Sequence, residues 1–194
     1  VNETILLLRD CRYNEISVEG RMMMKIGIAG VGVIFLAAIT LFAAGGAKMK
    51  ISSSAFQSGG TILSKFTCDG AGVNPALHLE GAPDRAKSLV LVVDDPDAPG
   101  GLFTHWLIWN IDPKTTEIAE SSAPKGVQGK NDFGKSGYGG PCPPSGTHRY
   151  YFKIFALDSD LALAAGSKRS QLDAAMRGHV IAHGEMMGRY ARGH

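Results

Sequence analysis

The residues best suited to chemistry fall in two short stretches. One is Asp94-Asp95-Pro96-Asp97-Ala98-Pro99, with His105 a few residues on. The other is "YGGPCPPSGTHRY", residues 138–150, where three prolines and three glycines surround Cys142 and lead into His148, Arg149 and Tyr150. Imidazoles, a phenol and the exposed backbone N–H groups of a glycine loop are the donors that a tetrahedral anion needs. Each charge-assisted hydrogen bond contributes roughly 1.5–3 kcal/mol, so a handful holds a small anion weakly. Carboxylates at such a site, Asp95 and Asp97, fix histidine tautomers, keep imidazoles protonated, or accept from the ammonium of a zwitterionic ligand. Glycine lets the backbone approach the ligand, and proline reduces the conformational freedom lost on binding.

Other readings of the same residues stand beside this one. Asp-Pro is good turn chemistry, and either histidine can be a strand-end residue satisfied by backbone. A hydrolase would use His148 and Asp95 on a phosphoester, without a convincing serine or cysteine nucleophile. The spacing matches no recognised metal-ligand motif. Cys142 lies between prolines, which weakens its reading as a nucleophile. His179, His183 and His194 are read as solvent-facing or structural.

The elements that must position these groups are mostly strands. "SLVLVVDD" (88–95) is a continuous apolar run, as in a strand covered on both faces; "HWLIWNI" (105–111) and "HRYYFKIFAL" (148–157) are rich in aromatic and β-branched residues. "KISSSAF" and "ILSKF" are expected earlier strands. Alternation places His148, Tyr150, Phe152 and Ile154 on one face of their strand, and Arg149, Tyr151, Lys153 and Phe155 on the other, where Arg149 has a structural role beside an acid. Residues 112–147 form a long glycine- and proline-rich segment that reads as an ordered, wrapped loop anchored by Phe133 and Tyr138. "SKRSQLDAAMRG" carries serine N-caps, Leu172, Ala175 and Met176 at helical spacing, and Gly178 as a stop. A second short element, "HVIAHGEMMGRYAR", closes the chain.

The 194 residues carry a formal charge of +2, with basic and acidic residues interspersed, which excludes a nucleic-acid track. Lys25, the uncharged run 26–42 and the small residues before Lys48 read as a signal peptide over 22–47, cut near Ala44 to Ala47. An uncleaved anchor over 26–42 is the alternative, and both export the domain to the periplasm or beyond. Residues 1–21, with Cys11, read as an over-long gene start, and Met22, Met23 and Met24 are candidate true starts. The domain is then 48–194, with Cys68 and Cys142 as its cysteines, and an even pair in an exported protein invites a disulfide.

"DDPDAPGGLFTHWLIWNI" and "GYGGPCPPSGTHRYYFKIFALD", together with "FTCDGAGVNPAL" and "GHVIAHGEMMGRY", resemble the phosphatidylethanolamine-binding protein family, in particular its bacterial, Raf kinase inhibitor-like branch. The resemblance covers roughly residues 50–192. It implies a mainly β fold: an antiparallel β-sandwich with Greek-key connections, the long wrapped loop, and short peripheral and C-terminal helices. It also implies a small surface cavity for phosphate-like anions or phospholipid head groups, with no cofactor and no catalysis. Carried over by motif, the cavity residues are Asp95, Asp97, His105, Gly140, Pro141, His148 and Tyr150. The chain departs from the family at Leu79, where tryptophan is common, and in its short spacer between the prolines and His148. Relatives that inhibit kinases or proteases imply a second class of function, a protein-interaction module with the cavity as its regulatory site.

Overall fold

A computed structural model describes residues 47–193. The expectations for the leader, the signal segment and anchor, Cys11 and His194 lie outside the described residues. Ten elements follow in order: β1 (Ala47–Lys48), β2 (Lys50–Ser52), β3 (Leu77–Glu80), β4 (Ser88–Asp95), β5 (Phe103–Ile111), β6 (Glu117–Ile118), β7 (Val127–Gln128), β8 (Thr147–Leu157), α1 (Arg169–Met176) and β9 (Val180–Ala191). They form a six-stranded sheet in the order β1-β9-β8-β4-β5-β7 and a three-stranded sheet in the order β2-β3-β6. Every strand pair is antiparallel except β1 with β9.

The continuous apolar run of β4 is explained by its central place in the large sheet. Leu89, Leu91 and Val93 enter a core shared with Met49, between β1 and β2, and with Ile51, Leu77, Leu79 and Ile118 of the small sheet. Val90 and Val92 point the other way, into a second cluster with Leu107, Trp109, Leu172 and Met176, so α1 covers the outer face. Both faces of β4 are therefore dry. Alternation also separates its last two residues: Asp94 follows Val92 toward α1, and Asp95 follows Val93 toward the shared core.

Three expectations change. "ILSKF" is not a strand but ends in a 3-10 turn, Ser64–Phe66. The expected C-terminal helices reduce to α1 alone among the described residues, and its N-cap is Lys168, whose N–H is accepted by the Gln171 side chain. "HVIAHGEMMGRYAR" is the long strand β9, paired with β8 from Thr147↔Ala191 to Leu157↔Val180. Its inward positions, Ala182, Gly184, Met186, Gly188 and Tyr190, alternate cleanly, but two are glycine because neighbouring chain leaves no room. A Cβ on Gly184 would lie 2.2 Å from the Met49 carbonyl. The strand's period is hidden by the smallness of its buried side chains.

Candidate functional site

A cavity of about 160 Å³ opens where β4, β5 and β8 meet the proline loop. Its walls are Asp95, Ala98, Pro99, Phe103, His105, Phe133, Cys142, Pro144 and His148. Each polar wall residue is placed by a specific local feature. Asp95 ends β4 on the core-facing side. His148 opens β8 on the same side, and its Nδ1 lies 2.8 Å from Asp95 Oδ2. The other Asp95 oxygen accepts the Asp97 N–H at 2.8 Å, closing the turn that begins the 96–102 loop.

His105 reaches the cavity through a bulge. Between Val93↔Trp106 and Asp94↔Thr104 the β4–β5 register skips, leaving His105 as the unpaired residue. Strict alternation from Leu107 and Trp109 would send His105 to the α1 face. The extra residue re-aims it, a recurrent use of bulges. Its Nδ1 donates to the Gly139 carbonyl at 2.7 Å while Gly139 N–H donates to the His105 carbonyl at 2.9 Å, so strand and loop grip each other twice. Asn131 adds bonds to the Gly137 and His105 carbonyls. Edge-on contacts with Phe133 and Tyr150, at 5.3 and 5.2 Å between ring centroids, hold the imidazole from two sides. Burial pulls the His105 pKa below its ordinary value, against the opposing effect of the Gly139 carbonyl and of Asp95 and Asp94.

Tyr150 lies beneath the wall, fully buried, its ring stacked near His148 and its hydroxyl without a hydrogen-bond partner. The hydroxyl feels Asp95 and the Cys142 N–H but meets bonding geometry with neither; burial and the Asp95 charge push its pKa well up. Gly140 and Pro141 do not line the cavity; they dock its loop. A Cβ on Gly140 would lie 2.7 Å from the Phe66 carbonyl oxygen and 2.9 Å from Thr67 Cα, and the Pro141 carbonyl accepts the Cys68 N–H at 3.0 Å. Beside them Cys68 and Cys142 form a disulfide with Cα atoms 5.3 Å apart. Cys142 thus fixes the wall instead of offering a thiol.

Asp97 turns away from the cavity. It receives the Arg149 backbone N–H and Nε, both at 2.9 Å, and Nη2 at 2.6 Å. This bidentate guanidinium holds the Asp97 pKa at about 2. Asp94 is buried on the opposite face against Lys153 and Arg169. Three acids within four residues therefore serve different partners. Of the other histidines, His179 meets Asp158 and His183 stacks on Phe155.

Phe103, Phe133, Pro99 and Pro144 make most of the wall apolar, and sequence reasoning did not assign them there. Phe133 anchors the loop at the rim, packed on Phe103 and His105 while remaining 44% exposed. Tyr138 anchors it deeper, donating to the Phe66 carbonyl at 3.0 Å. Among the described residues no group of three or more His, Cys, Asp or Glu side chains is arranged to hold a metal ion.

Residues 52–191 match the phosphatidylethanolamine-binding protein family. A UPF0098 protein of Archaeoglobus fulgidus is 50% identical over 153 residues, covering 75% of this chain and 52% of its own length, so the chain spans about half of that relative. A crystal structure from Chlamydia trachomatis, described as a phosphatidylethanolamine-binding protein homolog, is 43% identical with TM-score 0.73, covering 75% of this chain and 99% of that one. The E. coli protein YbcL, described as a member of the mammalian family, is 30% identical with TM-score 0.71, covering 76% and 100%. With the family match extending over most of the described residues, this chain belongs to the phosphatidylethanolamine-binding protein family.

Proposed function

We propose that this is an exported, non-catalytic binding domain whose cavity takes a phosphate-like anion or the phosphorylated head group of a lipid. The observation that carries the reading is the convergence of the His105 and His148 rings, with Asp95, on one small cavity. The volume suits a head group and not a whole lipid, and the apolar rim of Pro99, Phe103, Phe133 and Pro144 suits an ester chain leaving the mouth. Binding without turnover fits a wall whose sulfur is bonded to Cys68 and which contains no serine or threonine. The disulfide also supports export, since such bonds persist in oxidising compartments.

Titration with inorganic phosphate should shift the ring NMR signals of His105 and His148, and His148→Ala should remove the response. Absence of any shift in the wild-type protein sinks the reading. A second reading, docking of a partner protein such as a kinase or protease over the cavity mouth, is favoured by the exposure of Leu102 and Phe133, 52% and 44%. Recovery of one defined exported protein with the wild-type chain, lost with Phe133→Ser, would select it.

A further inference from the structure

The Cys68–Cys142 bond is unevenly placed between interior and solvent. Cys142 is half-buried and held between the buried Pro141 and Pro143, whereas Cys68 is exposed, as are Asp69, Gly70 and Ala71 after it. The bond also has a side away from the ligand cavity. There both cysteines line a second cleft, of about 260 Å³, whose other walls include Phe133, Lys135, Tyr138 and Gly139. A cleft of that size admits a cysteine side chain from another molecule. The Lys135 ammonium, in no ion pair among the described residues, draws a thiolate toward it.

The loop is docked without help from the bond. Cys68 N–H donates to the Pro141 carbonyl and the Tyr138 hydroxyl to the Phe66 carbonyl, both at 3.0 Å, and Gly140 sits against Thr67. Opening the bond therefore leaves its two sulfurs beside one another across a seam that other contacts keep closed, and the bond re-forms without refolding. Exposed disulfides are the labile ones, and structural disulfides resist exchange.

We infer that Cys68–Cys142 is a redox-active disulfide that exchanges, in the folded protein, with a dithiol entering the cleft at Cys68. One thiolate of the dithiol attacks Cys68 Sγ, the bond to Cys142 breaks, and Cys142 Sγ leaves as a thiolate that takes a proton from solvent. The second thiolate attacks the partner sulfur of this mixed disulfide and releases Cys68 as a thiolate. Two electrons pass to the cysteine pair, and the dithiol departs as its own disulfide.

The fold selects the class of reductant. A bond that restrains the unfolded chain over a separation of 74 residues is, by linkage, held about a thousandfold more firmly in the folded protein than in the unfolded chain. A monothiol, needed twice per bond, leaves it closed. A dithiol of the Cys-X-X-Cys kind closes a disulfide within itself and draws the exchange forward. The consequence falls on the ligand cavity, because a reduced Cys142 puts a thiol in the wall that Asp95, His105 and His148 share.

The test uses the full chain with dithiothreitol as the dithiol and glutathione as the monothiol. N-ethylmaleimide quenches each sample, and peptide masses distinguish Cys68 and Cys142 from Cys11. Dithiothreitol should expose both thiols without urea, at a rate proportional to its concentration and changed less than about twofold by urea below the unfolding midpoint, with the ring signals of His105 and His148 still dispersed. Glutathione at equal thiol concentration should open about tenfold less of the pair, and its mixed disulfide should lie on Cys68. Labelling that appears only as urea unfolds the chain, or collapse of the ring signals on reduction, overturns exchange in the folded state. Equal opening by glutathione overturns the dithiol class, and a mixed disulfide mainly on Cys142 overturns the assignment of the attacked sulfur. Lys135→Glu should slow the attack several-fold with the urea midpoint unchanged. An unchanged rate in that variant overturns the cleft as the entrance.

Discussion

Replacing both cysteines by serine should cost the protein about 4 kcal/mol while leaving the native cavity in place. The two residues are 74 positions apart, and closing a loop of that length removes roughly 15 cal/mol/K from the unfolded chain, about 4.4 kcal/mol at 25 °C. The native state should change little, because three other contacts dock the same loop: Cys68 N–H to the Pro141 carbonyl, Tyr138 hydroxyl to the Phe66 carbonyl, and Gly140 packed on Thr67. Urea unfolding of Cys68→Ser/Cys142→Ser against wild type measures the loss, and at about 2 kcal/mol per molar the midpoint should drop by about 2 M. Wild type unfolded in the presence of a dithiol reductant should reproduce it. The ring signals of His105 and His148 in the double variant should stay dispersed. A loss below about 1 kcal/mol would refute the unfolded-state argument, and collapse of those signals would show that the disulfide, not the backbone contacts, shapes the cavity.

Two further outcomes follow from the acids around it. Asp94→Ala leaves Lys153 and Arg169, mostly buried, without their shared counter-charge, and removing one member of a buried pair costs about 3–5 kcal/mol; Asp173 still pairs with Arg169, so the lower end is expected in urea unfolding, and a loss under about 1 kcal/mol would show the triad to be neutral. Stability should fall with pH in two places. The folded pKa of His105 lies below the ordinary 6.5, so its neutral burial is fully stabilising above that value and is lost as pH falls through the lower folded value. Asp97 titrates near 2 instead of 3.8, so its contribution is complete above about pH 4 and is lost as pH falls toward 2; exposure of the pair limits it to about 1 kcal/mol. Unfolding at pH 7.5, 5 and 3 measures both steps, and the lower one should vanish in Arg149→Ala.

What sequence can state about a site depends on whether side-chain direction follows from a period. In β8 it does: strict alternation puts His148 and Tyr150 on the core side and Arg149 outward, and the structure has that arrangement, with Arg149 meeting an acid. In the 94–97 turn region it fails in part. Three aspartates in four residues are chemically equal on paper, and only the end of β4, where Asp94 and Asp95 diverge and Asp97 lies past the turn, decides which of them faces the histidines. Beta-nine was illegible for another reason: its buried positions include glycines dictated by Met49 and Ile62, residues more than a hundred positions away.

His105 shows how far function can sit from what a period encodes. Its neighbours Leu107 and Trp109 share its parity and belong to the core under α1, so a reader who trusted alternation would place the imidazole on the wrong face of the sheet. One unpaired residue in β5 moves it across, and the loop carbonyl of Gly139 then fixes its tautomer. The bulge costs one ladder position near the end of the β4–β5 pairing, while Trp106 and Leu107 on either side of the sheet remain in their cores. The residue it re-aims is His105, which joins Asp95 and His148 in the cavity wall. A local departure from regular pairing, not the strand period, is what turns this side chain into the cavity.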